Sequence, residues 1–262
     1  MKAKKSNRPK VKIISLDGDN IYEQRTFCAV SVRHRQGYDR KTSWLEARFR
    51  DGMRYKLCQV NDRNVGFIEY IPGEYAWRGV DATGYLFIHC LWVLGHHKAQ
   101  GYGSLLLQEC LRDAQSNNYY GVAVATTNDT WLPSKKIFLK HGFEQVDAAP
   151  PAFELWAKPF LKYVPLPRFN NWKRTKSYNK GLVIIKSDQC PYIQHSIDEM
   201  MNVADDMGIP ATVIHLRTYK EAQNAPCVYG VINILLNGEL LSYHPLDGRQ
   251  LIKLLQEKSG TH

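Results

Sequence analysis

The sequence predicts a two-part chain of the α/β (α+β) class: a mixed, mostly antiparallel central sheet with helices, followed by a smaller α/β domain. Three observations predict it. The chain opens with a strand-like run and two segments of helical apolar spacing. Three aromatic-rich, β-branched runs then follow in close succession, as in a meander of adjacent strands. A glycine-punctuated helix leads from these into alternating strand and helix patterns. At 262 residues the chain is long enough for two modest cores without disulfide or metal staples.

In order, VKIISL reads as a strand, and Asn20 to Arg33 and Lys41 to Arg50 read as helices. MRYKLCQV, the run around NVGFIEYI and YLFIHCLWVL are three strands separated by the turn-like DRN and GVDATG. Gly101 to Ala114 is a helix with Leu105, Leu106, Cys110 and Leu111 on its apolar face. YGVAVAT is a buried strand. Pro133 to Lys140 is a helix stopped by His141 and Gly142, and FELWAKPF closes the first domain, residues 1–160. Residues 161–181 hold two prolines and the basic WKRTK, and read as a linker. In residues 182–262, GLVIIK and PATVIHL are strands flanking a helix over Ser196 to Met207. A hairpin with an Asn237-Gly238 turn and a helix over Asp247 to Glu257 follow.

With 44% hydrophobic residues and no run near ~20 consecutive apolar residues, no membrane span is predicted. The basic start lacks the long apolar core and cleavage site of a secretion signal, and six scattered cysteines show no disulfide or metal spacing, which predicts a cytoplasmic protein. A net charge of +10 predicts attraction to polyanions, whether cofactor phosphates, nucleic acid or an acidic substrate.

The chemistry concentrates at Lys98-Ala99-Gln100-Gly101-Tyr102-Gly103. A strand feeding a glycine-rich turn at a helix N-terminus converges free N–H groups and the positive end of the helix dipole, as a pyrophosphate needs. A side chain at Gly101 or Gly103 is expected to push phosphates away. The block HHKAQGYGSLLLQECLRDA resembles motif A of the GNAT acetyltransferase superfamily, Arg/Gln-x-x-Gly-x-Gly/Ala, and IFLKHGF resembles its later helix-to-strand block. The resemblance spans residues 11–160 and implies an acyltransferase that uses acetyl-CoA as co-substrate. It implies that the strand at Leu91, Trp92 and Val93 pairs with the pantetheine arm. Lys98 to Gly103 and Ser104 would then take the pyrophosphate. Lys98 stands where arginine or glutamine is usual. Phe138 occupies the position of the tyrosine that commonly protonates the thiolate, and Trp131 that of an asparagine.

Acyl transfer to an amine requires a neutral amine, so a proton acceptor is expected. The candidates are His89, Glu69 and the Asn128/Asp129 pair, each of which also has a plain structural reading. Strand alternation puts His89, Leu91 and Val93 on one face and Cys90 and Trp92 on the other, so Cys90 is expected in the core.

In the second domain, the order βαβ then ββα suggests a thioredoxin-like fold. Cys190 precedes a helix, where the dipole would lower its pKa, and it is either a reactive thiol or a small half-buried residue. Cys-Pro-Tyr-Ile resembles the glutaredoxin site without its second cysteine, and Gly230 or Val231 stands where a cis-proline would be expected. GNAT domain and tail together resemble the YoaP-type acetyltransferases of bacteria. That resemblance implies the two-domain layout and acetyltransferase activity; the leading expectation for the acceptor is a small-molecule or peptide amine. An aminoacyl-tRNA-dependent acyltransferase, compatible with the +10 charge and the basic linker, and a CoA-binding module with an active thiol stand as alternatives.

Overall fold

The computed structural model describes residues 9–24, 35–128, 131–170 and 178–259. Seven strands form the main sheet: β1 (Val11–Leu16), β2 (Arg54–Val60), β3 (Arg63–Pro72), β5 (Tyr85–Val93), β6 (Gly121–Thr126), β8 (Phe153–Pro159) and β7 (Glu144–Ala149), in that spatial order. Only β5 and β6 run parallel, joined by α3 (Tyr102–Ser116). The other pairs are antiparallel. Helix α3 and the short α4 (Lys135–Lys140) cover one face. There Ile68, Ile88 and Val124 meet Leu106, Leu107 and Cys110, one step round the helix from the predicted stripe. Helices α1 (Ile21–Gln24) and α2 (Arg35–Phe49) flank the other face; Arg25 to Arg33 of the first predicted helix lie outside the described residues.

A second sheet has the order β11 (Ala211–His215), β10 (Leu182–Lys186), β12 (Ile232–Leu236), β13 (Glu239–Ser242). β10 and β11 are parallel and the remaining pairs antiparallel. Helices α5 (Ile193–Asp206), α6 (Tyr219–Gln223) and α7 (Gly248–Ser259) complete it. Asn237 and Gly238, with φ of 49° and 85°, form the two-residue turn whose twist suits a hairpin.

The apolar run of β10 is explained by burial on both faces. Leu182 and Ile184 pack among Ile197, Met200 and Leu251 of the second sheet's own helices. Val183 and Ile185 point the opposite way, into a core that also holds Leu16, Trp44, Trp77 and Phe87. The two sheets therefore share one hydrophobic core. Close backbone contact supports this: the Gly79 N–H donates to Val228 O, and a Cβ on Gly230 would stand 2.5 Å from Trp77 O. Part of the segment read as a linker is also tied down. β9 (Arg168–Phe169) pairs with β4 (Val80–Asp81), and the Phe169 N–H donates to Asp147. Residues 171–177, with WKRTK, lie outside the described residues.

Candidate active site

β5 pairs with β3 along its length but with β6 only from Tyr85 to Ile88. Beyond Ile88 the parallel strands part, leaving one edge of β5 open over Leu91 to Val93. A groove of about 290 Å³ runs from this edge to the start of α3. Leu91, Trp92, Val93, Lys98, Ala99, Gly101, Tyr102, Gly103 and Ser104 line it, with His97, Ser134, Ile137 and Lys140. Gln100 alone of the predicted loop residues turns away, its side-chain amide donating to His96 O at 2.9 Å. The first N–H groups of α3 have no intrahelical acceptor, and Gly101 supplies no side-chain cap, so an external anion can take them.

The two glycines differ in what they do. Gly101 has φ of 89°, and a Cβ there would project into open space at the helix mouth. Gly103 faces inward instead: its Cβ would stand 3.1 Å from Ile137 Cδ1 and 3.8 Å from Val93 Cγ2. A Cβ at Gly103 would thus stand between two side chains that line the groove, and glycine there also lets α3 pack closely. His141 Nε2 lies 2.9 Å from the Ser104 hydroxyl, fixing that side chain at the groove wall.

Trp92 also lines a second cavity of about 310 Å³ on the opposite face of the sheet. Lys41, Phe67, Glu69, Arg78, His89 and Cys90 form one wall; Gln189, Cys190, Tyr192, Tyr229 and Val231 of the second sheet and its loops form the other. The expected separation of His89 from Cys90 is overturned by a β-bulge. Glu69 pairs with Cys90 while Tyr70 pairs with Ile88, so His89 is the extra residue, and both side chains reach the cavity. Cys90 is half-buried there rather than a core residue.

A buried polar network lies beneath this cavity. Glu69 Oε2 accepts from Lys41 Nζ, and Glu69 Oε1 accepts from Gln189 Nε2 at 2.9 Å. Arg78 Nη1 donates to Gln189 Oε1 at 2.6 Å and to Trp77 O at 2.7 Å, and Nη2 donates to His89 O at 3.1 Å. These donors and acceptors fix the amide orientation: Gln189 must present oxygen to the guanidinium and nitrogen to the carboxylate. The Trp77 N–H donates to His89 Nε2 at 3.0 Å, so the proton of the neutral ring sits on Nδ1, 3.4 Å from Glu69 Oε1. Burial would raise the Glu69 pKa, but Lys41 and His89 outweigh it and hold it at about 2. Burial pushes the His89 imidazole down to about 4 against the pull of Glu69.

The other proposed acid, base and thiol positions sit differently. Glu69 is ionised with both oxygens engaged, and the accepting nitrogen of His89 already holds the Trp77 N–H. Asn128 is exposed beyond β6, and Asp129 lies outside the described residues. The expected lowering of Cys190 is corrected. α5 begins at Ile193 with Tyr192 as N-cap, and burial pushes the Cys190 thiol up. Phe138 is fully buried and meets Phe143 edge-on, with ring centres 5.3 Å apart. Trp131 stacks on His244, 6.2 Å between ring centres. Lys41, Arg78 and Gln189 were not among the predicted site residues. Only Arg78 had a signal, a cation inside the otherwise apolar and aromatic YAWRGV; Lys41 and Gln189 stand in polar segments, DRKTS and KSDQC, that do not mark them.

A groove on a glycine-rich helix start, fed by a strand that parts from its parallel neighbour, defines a class. Residues 19–143 match the model of the acetyltransferase (GNAT) family; the chain carries a GNAT acetyltransferase domain and is an acyltransferase. Beyond that domain, the chain is similar to a Bacillus subtilis (strain 168) protein described as the uncharacterized N-acetyltransferase YoaP. The two are 29% identical over 247 residues, 92% of this chain and 97% of the relative. Among solved structures, the PaiA N-acetyltransferase of Thermoplasma acidophilum, in complex with coenzyme A, aligns at 12% identity. It covers 58% of this chain and 99% of its own, with a TM-score of 0.42. An N-acetyltransferase from Staphylococcus aureus Mu50 aligns at 14% identity over 57% and 98%, with a TM-score of 0.43. Among the described residues, no helix is long and apolar enough to cross a membrane.

Proposed function

We propose that the protein is an acetyl-CoA-dependent N-acetyltransferase that modifies a small-molecule or peptide amine by direct attack in a ternary complex. The observation that carries this reading is the meeting of the β5–α3 groove and the opposite cavity at one side chain, Trp92. Acetyl-CoA supplies the activated acetyl group. The open edge of β5 offers main-chain hydrogen bonds to an extended arm, while Gly101 and the first turn of α3 receive the diphosphate. The cavity on the far side admits the amine to the carbonyl carbon, and a C–N bond forms as the C–S bond breaks.

The cavity walls act on the acceptor's proton. Lys41 and Arg78 outnumber the single carboxylate of Glu69, and His89 is neutral. Positive charge and desolvation both disfavour an ammonium, so the acceptor sheds its proton to solvent as it enters and attacks as the free amine. The same charge stabilises the departing thiolate, whose usual tyrosine is replaced by the buried Phe138. Glu69 and His89 serve in this scheme as positioning residues that hold the bulge and the cations in place. The strand order and pairing of the second sheet support a thioredoxin-like assignment, in which Cys190 has a wall position.

Isothermal titration with acetyl-CoA tests the foundation. Saturable binding to the wild type and its loss in Gly101→Glu are expected, with the variant's melting temperature retained within a few degrees. A wild-type chain that takes up no acetyl-CoA refutes the reading.

A further inference from the structure

The cavity on the second-sheet side of Trp92 holds more than a generic amine path. Trp92, Trp131 and Tyr192, each more than a third exposed, converge on it together with Phe67 and Tyr229. Exposed aromatics gathered in one concave site mark a surface built for an apolar or aromatic ligand. At about 310 Å³ the cavity suits one small molecule or one side chain.

Its charges are as informative as its walls. Among the described residues lining it, Glu69 is the one carboxylate, and both of its oxygens are engaged, by Lys41 and by Gln189. Gln189 comes from the loop after β10, so the second sheet itself saturates the carboxylate. Arg78 stays buried, its guanidinium 4.8 Å from the Tyr229 ring centre. Two cations against one fully occupied anion leave a positive cavity that offers no unengaged carboxylate, among the described lining residues, to a second ammonium on the substrate.

We propose that this composite cavity is the acceptor site and selects a monoamine with an aromatic or apolar body, rejecting diamines, polyamines and other multiply cationic acceptors. This rests on the acetyltransferase reading above, and Gln189 is its specificity-determining residue. Like charges in a partly desolvated site interact by several times the thermal energy. A second ammonium should therefore cost at least about tenfold in kcat/KM.

The test measures CoA release by the full chain with matched acceptors: 2-phenylethylamine, its para-aminomethyl derivative, and spermidine. Acetyl-CoA binding is titrated in parallel. The expected result is turnover of phenylethylamine with kcat/KM at least about tenfold above the other two. Gln189→Glu, which adds a carboxylate beside Arg78, should narrow that gap to about threefold or less; acetyl-CoA binding by the variant verifies its fold. Equal or faster turnover of the dicationic probes by the wild type overturns the proposal, as does an unchanged gap in a Gln189→Glu variant that binds acetyl-CoA. Intact acetyl-CoA binding with no turnover of any probe overturns the acceptor class alone. No acetyl-CoA binding overturns the activity beneath it.

Discussion

Acid should weaken this fold through one residue before any other part of the Glu69 network titrates. The folded His89 imidazole titrates near 4, against about 6.5 in the unfolded chain. That gap corresponds to roughly 3 kcal/mol. Above pH 6.5 both states are neutral at His89, and the group contributes no pH dependence. Below it the unfolded chain takes up a proton that the fold refuses, so stability falls with pH until about 4. Glu69 has the opposite sign of group but the same direction of effect. Its folded value near 2 lies below an unfolded value of 4.5, so its contribution is intact above pH 4.5 and is lost only below it. The window from pH 6.5 to 4.5 therefore belongs to His89 within this network. Urea unfolding at pH 7 and pH 5 should show a loss of about 2 kcal/mol from His89 in that interval. His89→Gln keeps an oxygen to accept the Trp77 N–H and removes the titration, so its stability should fall by about 2 kcal/mol less over the same interval. The background from the half-buried His141 and the exposed His215 is common to both proteins and cancels in the difference. Equal losses in wild type and variant would refute the assignment of Nε2 as an occupied acceptor in a site that excludes the proton.

Three further outcomes follow from the same geometry. Lys41→Met leaves the buried Glu69 carboxylate without its cation and should cost about 3–5 kcal/mol in urea melts, most of it recovered by adding Glu69→Leu. Gly103→Val should lower stability by about 1–3 kcal/mol through contact with Ile137 and weaken acetyl-CoA binding by moving α3; binding unchanged in calorimetry would exclude that packing role. Cys190 should alkylate with iodoacetamide at pH 7 no faster than an ordinary exposed thiol, as mass spectrometry of the full chain would read, because burial raises its pKa.

Elements whose form is set by neighbours in sequence are legible there. Gly101 and the apolar stripe of α3 are local features, and the helix begins at Tyr102 beside that glycine. The strand runs around Phe67 and Phe87 announce themselves by their aromatic and β-branched residues between turn-like segments. The bulge at His89 has no such signature. It arises from a mismatch of register between β3 and β5, and a strict period of two placed His89 with Leu91 and Val93, away from Cys90. The composite cavity was hidden for a further reason. Gln189 and Glu69 are 120 positions apart, and only the docking of β10 against the main sheet joins them. Arg78 was visible as an arginine between tryptophan and glycine, but a buried cation announces itself only once its partners are placed. Cys190 was read from its place before a helix, and enclosure outweighed the dipole.

The core common to both sheets sets an order of events during synthesis. Trp44 and Trp77 leave the ribosome long before Val183, Ile185 and Leu235, the residues that cover them. At roughly 5–20 residues per second, the wait from Trp77 to Leu235 lasts about 8–30 seconds. Throughout that interval the nascent first sheet presents an aromatic face to whatever surrounds it, and the cavity beside Trp92 lacks a wall. The cavity is thus completed only once Gln189, Tyr229 and Val231 have been made. A messenger truncated before β12 would yield a polypeptide with the residues of the β5–α3 groove in place and a sticky, open face beside Trp92. Such a product is a natural client for chaperones and proteases, so translation through β12 acts as a checkpoint on the closing of that cavity.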